Sequence, residues 1–337
     1  MTRLEPPVTI ERTDPQMITT LDRARTFSDG AQARASRIVI PIVRVIVGLL
    51  WLQNAGWKTP PDFGKRNGRG LFGYTQSAVT HEVFAPYAFF VKHVVLKNFT
   101  FFGWVTLFVE ASLGAFLILG LHTRIWSLIG LGQSLAITFS VLHVQNEWPW
   151  SYYLMIAAHL SLFALDAGNH WGLDEVRSRI RSQATAWQRP AVVVGAITTL
   201  VGALSFVKAG GHAFGASFGS YLGPAAASPK GYELSLITLN RRGALIVVLL
   251  GVVMLAAGLT RMRLALLGVT AVAGALAVQL LFQFERNSKG VLVGGFTGGN
   301  GSTFSFLMGL ALTGAVLGGL AGIRSAKRPP STASAVR

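Results

Sequence analysis

Long apolar segments separated by short polar links dominate this sequence. A helix needs roughly 20 apolar residues to cross the hydrocarbon core of a bilayer, which is about 30 Å thick. Segments of this kind lie near residues 38–57, 101–121, 125–144, 151–167, 191–208, 243–259, 263–283 and 304–323. The pattern predicts an all-α integral membrane protein with about eight transmembrane helices.

The composition agrees with a bilayer environment. Only 13% of the 337 residues are charged, whereas soluble domains average about 25%. The net charge of +16 could suggest a nucleic-acid partner, but the basic residues cluster in short links beside apolar segments. The chain contains no cysteine, which excludes disulfides, thiol chemistry and iron–sulfur ligation. We expect a lipid bilayer as partner and no nucleic acid.

The distribution of Lys and Arg predicts the orientation. Basic residues lie in the links on one side of the predicted spans: Arg124, Arg177, Arg179, Arg181, Arg189, Arg261, Arg263, Arg324, Lys327 and Arg328. The opposite short link, HVQNEWPWS, has none. The positive-inside rule then places both termini in the cytoplasm of a multi-pass protein of the plasma membrane. The basic connection 59–99 would lie outside, against the rule, although long connections obey it poorly.

Two pairs of segments resemble each other within the chain. Residues 113–132 resemble 250–270, and residues 48–58 resemble 202–212. Lys208 is matched in position with Lys58. We therefore predict two tandem four-helix halves with the same orientation in the membrane. The predicted parts are a partly disordered cytoplasmic polar tail (1–36), a first bundle (37–175), a basic cytoplasmic linker (176–190), a second, degenerate bundle (191–324) and a basic C-terminal tail (325–337).

Ionisable residues inside the predicted spans mark a candidate site, because charges are costly in hydrocarbon. Arg44, Glu110 and His159 lie well inside three different spans, and alternating helix directions bring them to similar depth. We expect an Arg44–Glu110 ion pair with the His159 imidazole beside it. A plain ion pair that fixes helix packing is an equal alternative. The second half lacks such residues and is expected to be structural or partner-binding.

A second group of candidate residues lies near the predicted external ends and includes Lys58, His143 and Trp148. Lys58 follows Arg44 by fourteen residues, so the two share a helix face about 21 Å apart and could mark the ends of one path. A snorkelling lysine and an aromatic belt are the alternatives for Lys58 and Trp148. His143 and His159 could also ligate a b-type haem, which is disfavoured because a lone intramembrane histidine more often serves a hydrogen bond or proton step. No metal site is predicted.

Three polar or glycine-rich features receive structural interpretations. Asp166 and Asp174 follow the fourth predicted span and are expected to be cap or loop residues. The glycine-rich stretch 289–302 has no following GK[ST] sequence, which argues against a phosphate-binding loop. We expect that stretch to be a flexible external connection.

Glycines and charged residues of the first half resemble the DoxX/DoxD superfamily. The matching residues are Arg44, Gly48, Trp51, Gly56, Lys58, Glu110, Gly114, Gly120, Arg124, Asp166, Gly168, Gly172 and Asp174. The stretches FVKHVVLKN and WPWSYY fit the DoxD branch. The resemblance covers roughly residues 37–175, and a minimal four-span member has no counterpart of the second half.

This resemblance implies a DoxD-type membrane subunit of thiosulfate:quinone oxidoreductase. Thiosulfate would be gathered by a basic outer surface, for which the candidate residues are Lys58, Lys65, Arg66, Arg69 and Lys92, with His143 and Trp148 nearby. The quinone would lie between helices, with Glu110 and His159 handling protons and Arg44 supporting Glu110. The alternatives are a non-catalytic anchor or assembly subunit that binds a second membrane or soluble redox subunit, and a small-molecule carrier.

Overall fold

The computed structural model describes residues 15–180, 183, 185–208, 216–218, 237–282, 284–286, 292–294 and 296–323. Within them the helices are α1 Pro15–Gly56, α2 Gly70–Thr80, α3 Ala85–Phe90, α4 Phe99–Leu119, α5 Thr123–Val141, α6 Pro149–Ala164, α7 Leu173–Ile180, α8 Gln188–Lys208, α9 Arg241–Thr260, α10 Arg263–Phe282 and α11 Gly301–Ile323. Two short antiparallel strand pairs join β1 Ala216–Phe218 to β2 Ile237–Leu239 and β3 Phe284–Arg286 to β4 Leu292–Gly294.

Six helices in the described part of the chain are long and apolar enough to cross a bilayer. They are Arg34–Gly56, Phe99–Leu119, Gln188–Val207, Arg241–Thr260, Arg263–Phe282 and Gly301–Gly319. The other two predicted spans, 125–144 and 151–167, correspond to α5 and α6, which have 19 and 16 residues and do not reach the same standard of length and apolarity. The fold is thus that of an all-α, multi-pass membrane protein. The length and apolarity of the described helices support six spans, whereas the sequence predicts about eight.

Two segments that the sequence analysis treated as tail or connection are helical. Residues 15–36, part of the predicted disordered tail, belong to the same continuous helix as the first span. The connection 59–99 contains α2, α3 and a π-helix, Val91–Val95. Pro86 occupies the first turn of α3, where its missing N–H and fixed φ favour helix initiation. The connection 209–240 lies mostly outside the described residues.

Glycines allow α1 and α4 to pack with close backbone contact. A Cβ atom at Gly48 would lie 2.8 Å from the Ile118 backbone nitrogen, and one at Gly114 would lie 2.9 Å from the Leu52 backbone nitrogen. Such distances are too short for any side chain larger than hydrogen without movement of the helices. Glycine at these positions therefore sets the separation and the relative height of the two helices.

The same contacts recur between α8 and α9. Gly195 meets the backbone of Leu255, and Gly251 meets the backbone of Thr199. Gly195 and Thr199 thus occupy the places of Gly48 and Leu52. The two helix pairs share a contact pattern. Gly114 corresponds to Gly251, as in the sequence comparison, whereas Gly48 corresponds to Gly195 and not to Gly202, a difference of about two helical turns.

Helix α11 packs in the groove between α1 and α4 and connects the two parts of the chain. Ser305 Oγ donates a hydrogen bond of 2.6 Å to the carbonyl oxygen of Ala111. Just before α11, Thr297 is buried, and Asn300 Oδ1 accepts hydrogen bonds from Ser302 Oγ at 2.6 Å and the Thr303 N–H at 3.2 Å. The prediction of a flexible connection is therefore wrong for residues 297–302, because their polar groups are buried and bonded.

Candidate functional site

Three large buried polar side chains follow one another at intervals of seven residues, two of them on one face of α1 and the third, Lys58, two residues beyond its end. Arg44, Trp51 and Lys58 are 1%, 3% and 1% exposed. Seven residues are close to two helical turns, so the Cα atoms of Arg44 and Trp51 lie about 10 Å apart along the same helix face, and Lys58 follows in the turn after the helix. Each head group binds a partner on another element. We call this arrangement the polar column.

Lys58 forms the outermost contact of the polar column. Its Nζ lies 2.7 Å from Oε2 of Glu110, in the middle of α4, and both side chains are 1% exposed. The Gln133 amide on α5 donates to the other carboxylate oxygen at 3.2 Å. Lys58 Nζ is also 3.5 Å from the centre of the Trp57 ring and 3.4 Å from the carbonyl of Asn54. A carboxylate and an ammonium thus neutralise each other inside an apolar helical bundle.

The predicted ion pair between Arg44 and Glu110 is wrong, because Glu110 pairs with Lys58. The prediction assumed that α1 and α4 begin and end at the same heights. The glycine contacts instead place the end of α1 level with the middle of α4. Lys58 consequently reaches Glu110, and Arg44 lies near the end of α4.

His159 on α6 forms the middle contact of the polar column and is 1% exposed. Trp51 Nε1 lies 2.8 Å from His159 Nε2. An indole N–H can only donate, so Nε2 is the acceptor and the neutral imidazole carries its proton on Nδ1. His159 Nδ1 has no hydrogen-bond partner. The ring packs directly on Gly130 of α5, where any Cβ atom would collide with it.

Arg44 binds backbone carbonyls at the opposite end of the polar column. Its Nη1 donates to Ala167 O at 2.7 Å and to His170 O at 2.8 Å, and Nη2 donates to Trp171 O at 3.2 Å. These carbonyls belong to the turn between α6 and α7. The guanidinium therefore fixes this turn, and its contacts are those of a structural residue.

The expected cap and loop roles of the two aspartates agree with their contacts. Asp174 accepts hydrogen bonds from the backbone N–H groups of His122 and Thr123 at 3.0 and 3.2 Å, and so caps the first turn of α5. Asp166 lies 3.5 Å from Arg124 in an exposed ion pair. The turn between α6 and α7 is consequently held from two sides, by Arg44 and by Asp174.

The predicted substrate-binding residues do not share one environment. Lys58 is fully buried, whereas Arg66 is exposed and its backbone N–H contacts Asp62 at 3.4 Å. His143 Nδ1 lies 2.9 Å from the carbonyl oxygen of Glu82, and Trp148 is 62% exposed. Binding of a substrate by these residues stays a prediction.

A smaller polar cluster lies close to Lys58. The Trp57 ring contacts the Tyr74 ring edge-on at 5.8 Å, and the Tyr152 hydroxyl donates to the Glu147 carboxylate. Burial, followed by the negative charge of Glu147, raises the pKa of the Tyr74 phenol. Tyr74 therefore stays a neutral hydroxyl at physiological pH.

Sequence reasoning missed two members of the site, Trp51 and Gln133. Trp51 was noted only as part of the family-like pattern, although its position midway between Arg44 and Lys58 on one helix face was a usable signal. Gln133 gave no comparable signal, because a single amide in a helix rich in Ser and Thr does not stand out. Within the described residues, no cluster of three His, Asp or Glu side chains could hold a metal ion.

Among the described residues of the second part of the chain, no ion pair occupies the place of Lys58 and Glu110. In the register set by the glycine contacts, Ser205 stands in the place of Lys58 and Val247 in the place of Glu110. Both are buried.

Comparisons of the chain with protein-family models, curated proteins and solved structures find no match. The resemblance to the DoxX/DoxD superfamily accordingly stays a prediction from the residues that carry it. Function has to be argued from the chemistry of the polar column.

Proposed function

We propose that the chain is a membrane component of a quinone-linked oxidoreductase, with the Lys58–Glu110 pair as its proton-handling group. The proposal includes eight spans in two tandem four-helix halves, of which α5 and α6 supply two. Both termini then lie on the cytoplasmic side of the plasma membrane. The recurrence of the glycine contacts in α1–α4 and α8–α9 supports the tandem arrangement.

One observation carries the proposal: two very similar helix pairs differ in whether they contain a buried ion pair. Burying two charges has a large desolvation penalty, and well-packed apolar residues often serve stability equally well. The pair of α8 and α9 packs closely with Ser205 and Val247 at the corresponding positions. Packing of such helices therefore does not require Lys58 and Glu110, which favours a chemical role for them.

The residues of the site suit proton exchange near a quinone. Reduction of a quinone to a quinol takes up two electrons and two protons. Lys58 and Glu110 hold an ionisable proton between them at 2.7 Å, and the Gln133 amide keeps the carboxylate in position. His159 Nδ1–H offers a buried donor to a carbonyl oxygen. Two thiosulfate ions, oxidised to tetrathionate, would supply the two electrons, either directly or through a redox subunit.

The test combines extraction and turnover. The purified protein is extracted with organic solvent to detect bound quinone, and thiosulfate-dependent reduction of decylubiquinone is followed by absorbance. The double variant Lys58→Met/Glu110→Leu should fold normally, because it removes both charges together. Its turnover should fall by about 100-fold or more, since proton transfer by a positioned group contributes on that scale.

The matched control is Ser205→Ala, at the position that corresponds to Lys58. This variant should retain full turnover. Full activity in a folded double variant would refute the role of the ion pair. Absence of both quinone and turnover in the wild-type protein would refute the redox function itself.

A non-catalytic anchor or assembly subunit is the second candidate. It is favoured by Arg44, whose three hydrogen bonds all go to backbone carbonyls of this chain. Co-purification of a soluble oxidoreductase in mild detergent, with no activity in the isolated chain, would support this candidate. A small-molecule carrier stays a third prediction, and substrate uptake into proteoliposomes without redox change would favour it.

A further inference from the structure

Four buried polar atoms without a hydrogen-bond partner line one seam of the first half. They are Arg44 Nε, Thr123 Oγ1, Ser127 Oγ and His159 Nδ1. Thr123 and Ser127 lie on α5, Arg44 on α1 and His159 on α6. The seam thus follows the contact between α5 and α6, with Arg44 of α1 at its end, beside Gly120 and Gly172.

The α5 side of this seam is a continuous row of small residues. Thr123, Ser127, Gly130 and Ser134 follow each other at intervals of four, three and four, which places them on one helix face. All four are buried. The imidazole of His159 lies on Gly130, between the two serines.

The two ends of the seam are defined by polar contacts. At one end, a Cβ atom at Gly168 would lie 2.6 Å from the Thr123 hydroxyl, so the seam begins at the turn that Arg44 holds. At the other end, Gln133 is adjacent to Ser134 and donates to Glu110 at 3.2 Å. The unpartnered groups therefore extend from the N-terminal end of α5 to His159, and beyond them Ser134 Oγ donates to the Gly130 carbonyl oxygen at 2.7 Å, one residue along the chain from the partner of Glu110.

We propose that this seam is a hydration path, through which water and protons reach Glu110 from the N-terminal end of α5. Buried polar groups in proteins are almost always hydrogen-bonded, so a row of unpartnered ones calls for an additional partner such as water. Entry of water between α5 and its neighbours would provide partners for all of them at once. Hydroxyls donate and accept, and the Nδ1–H of His159 can donate to an entering water while Nε2 stays bonded to Trp51.

The absence of cysteine from the chain permits a direct test with single cysteines. Ser127→Cys and Ser134→Cys place a thiol in the seam near its entrance and near Glu110. Leu128→Cys and Gly132→Cys are the matched controls, because these neighbours are exposed at nearly the same depths. Each protein is reconstituted in lipid nanodiscs and treated with 2-aminoethyl methanethiosulfonate. The reagent requires a thiolate, which forms in water and not in hydrocarbon.

Each seam cysteine should react at least about tenfold faster than its lipid-facing neighbour. Adding Ser127→Val, which removes a hydroxyl and narrows the seam, should slow the reaction of Ser134→Cys to the rate of Gly132→Cys. Gel filtration identifies variants that keep the wild-type fold. If the seam cysteines react at the same rate as their lipid-facing controls, the hydration path is overturned. If Ser127→Val leaves the reaction rate of Ser134→Cys unchanged, water does not reach Ser134 from the N-terminal end of α5. Quinone turnover is not measured, so failure of the proposed redox function would leave these outcomes unaffected.

Discussion

Arg44 shows how a buried cation can serve the backbone instead of an acidic partner. Replacement by Met would leave three carbonyls of the turn between α6 and α7 without their donor. We expect Arg44→Met to lower the free energy of unfolding by about 3 kcal/mol or more, because hydrogen bonds to charged groups each contribute about 1.5–3 kcal/mol. Thermal unfolding in nanodiscs would measure the loss.

Arg44→Lys is the informative companion variant. An ammonium keeps the charge but lacks the planar fork that reaches several carbonyls at once. We expect Lys to restore only part of the lost stability. A melting temperature of Arg44→Met equal to that of the wild type would show that these hydrogen bonds do not hold the turn.

Gly130 and Gly132 offer a matched test of the His159 environment. A methyl group at Gly130 would collide with the imidazole, whereas one at Gly132 meets nothing within 4 Å. Gly130→Ala should therefore destabilise the protein by about 1–3 kcal/mol, as overpacking of a close contact does. Gly132→Ala should be neutral or stabilising by up to about 1 kcal/mol, because Ala favours the helix. Equal melting temperatures of the two variants would contradict this packing.

At the level of whole helices, apolar length was enough to predict the eight main elements. All eight predicted segments are helical, with boundaries within a few residues except at the start of α1. The relative height of neighbouring helices was not predictable in the same way. It depends on where glycines such as Gly48 and Gly114 allow backbones to meet, which hydropathy does not record. The partner of Glu110 was misassigned for that reason, although the sequence analysis named both Lys58 and Glu110 as candidate residues.

The recurring contact between paired helices predicts equivalent mutational effects. Gly48→Ala and Gly195→Ala each introduce a methyl group against the backbone of the facing helix. Both should lower the free energy of unfolding, by about 1–3 kcal/mol. Gly268→Ala is the control, because a Cβ there meets nothing within 4 Å. A loss of stability for Gly48→Ala alone would contradict the equivalence of the two helix pairs.

Across the whole molecule, the polar side chains of the site and the helices that pack against them lie in different parts of the chain. The polar column lies in α1, α4, α5 and α6, whereas the equivalent place in α8 and α9 holds Ser205 and Val247. Helix α11 packs against α1 and α4 through Gly301 and Ser305, so the second part of the chain covers one side of the site-bearing helices. In the part of the chain that the structure describes, α11 thus supports the helices that carry the polar column.

The number of spans can be decided by labelling the turn between α5 and α6. Six and eight spans both place the chain termini on one side, because α5 and α6 are consecutive helices that either both cross or both do not. The two topologies differ in the position of Gln145, an exposed residue of that turn.

If α5 and α6 cross the bilayer, Gln145→Cys and Arg124→Cys lie on opposite sides. A membrane-impermeant maleimide is applied to sealed right-side-out vesicles, which expose the external face of the membrane. It should then label Gln145→Cys alone before permeabilisation and both variants afterwards. Equal labelling of the two variants in intact vesicles would exclude eight spans and place α5 and α6 on one side of the membrane.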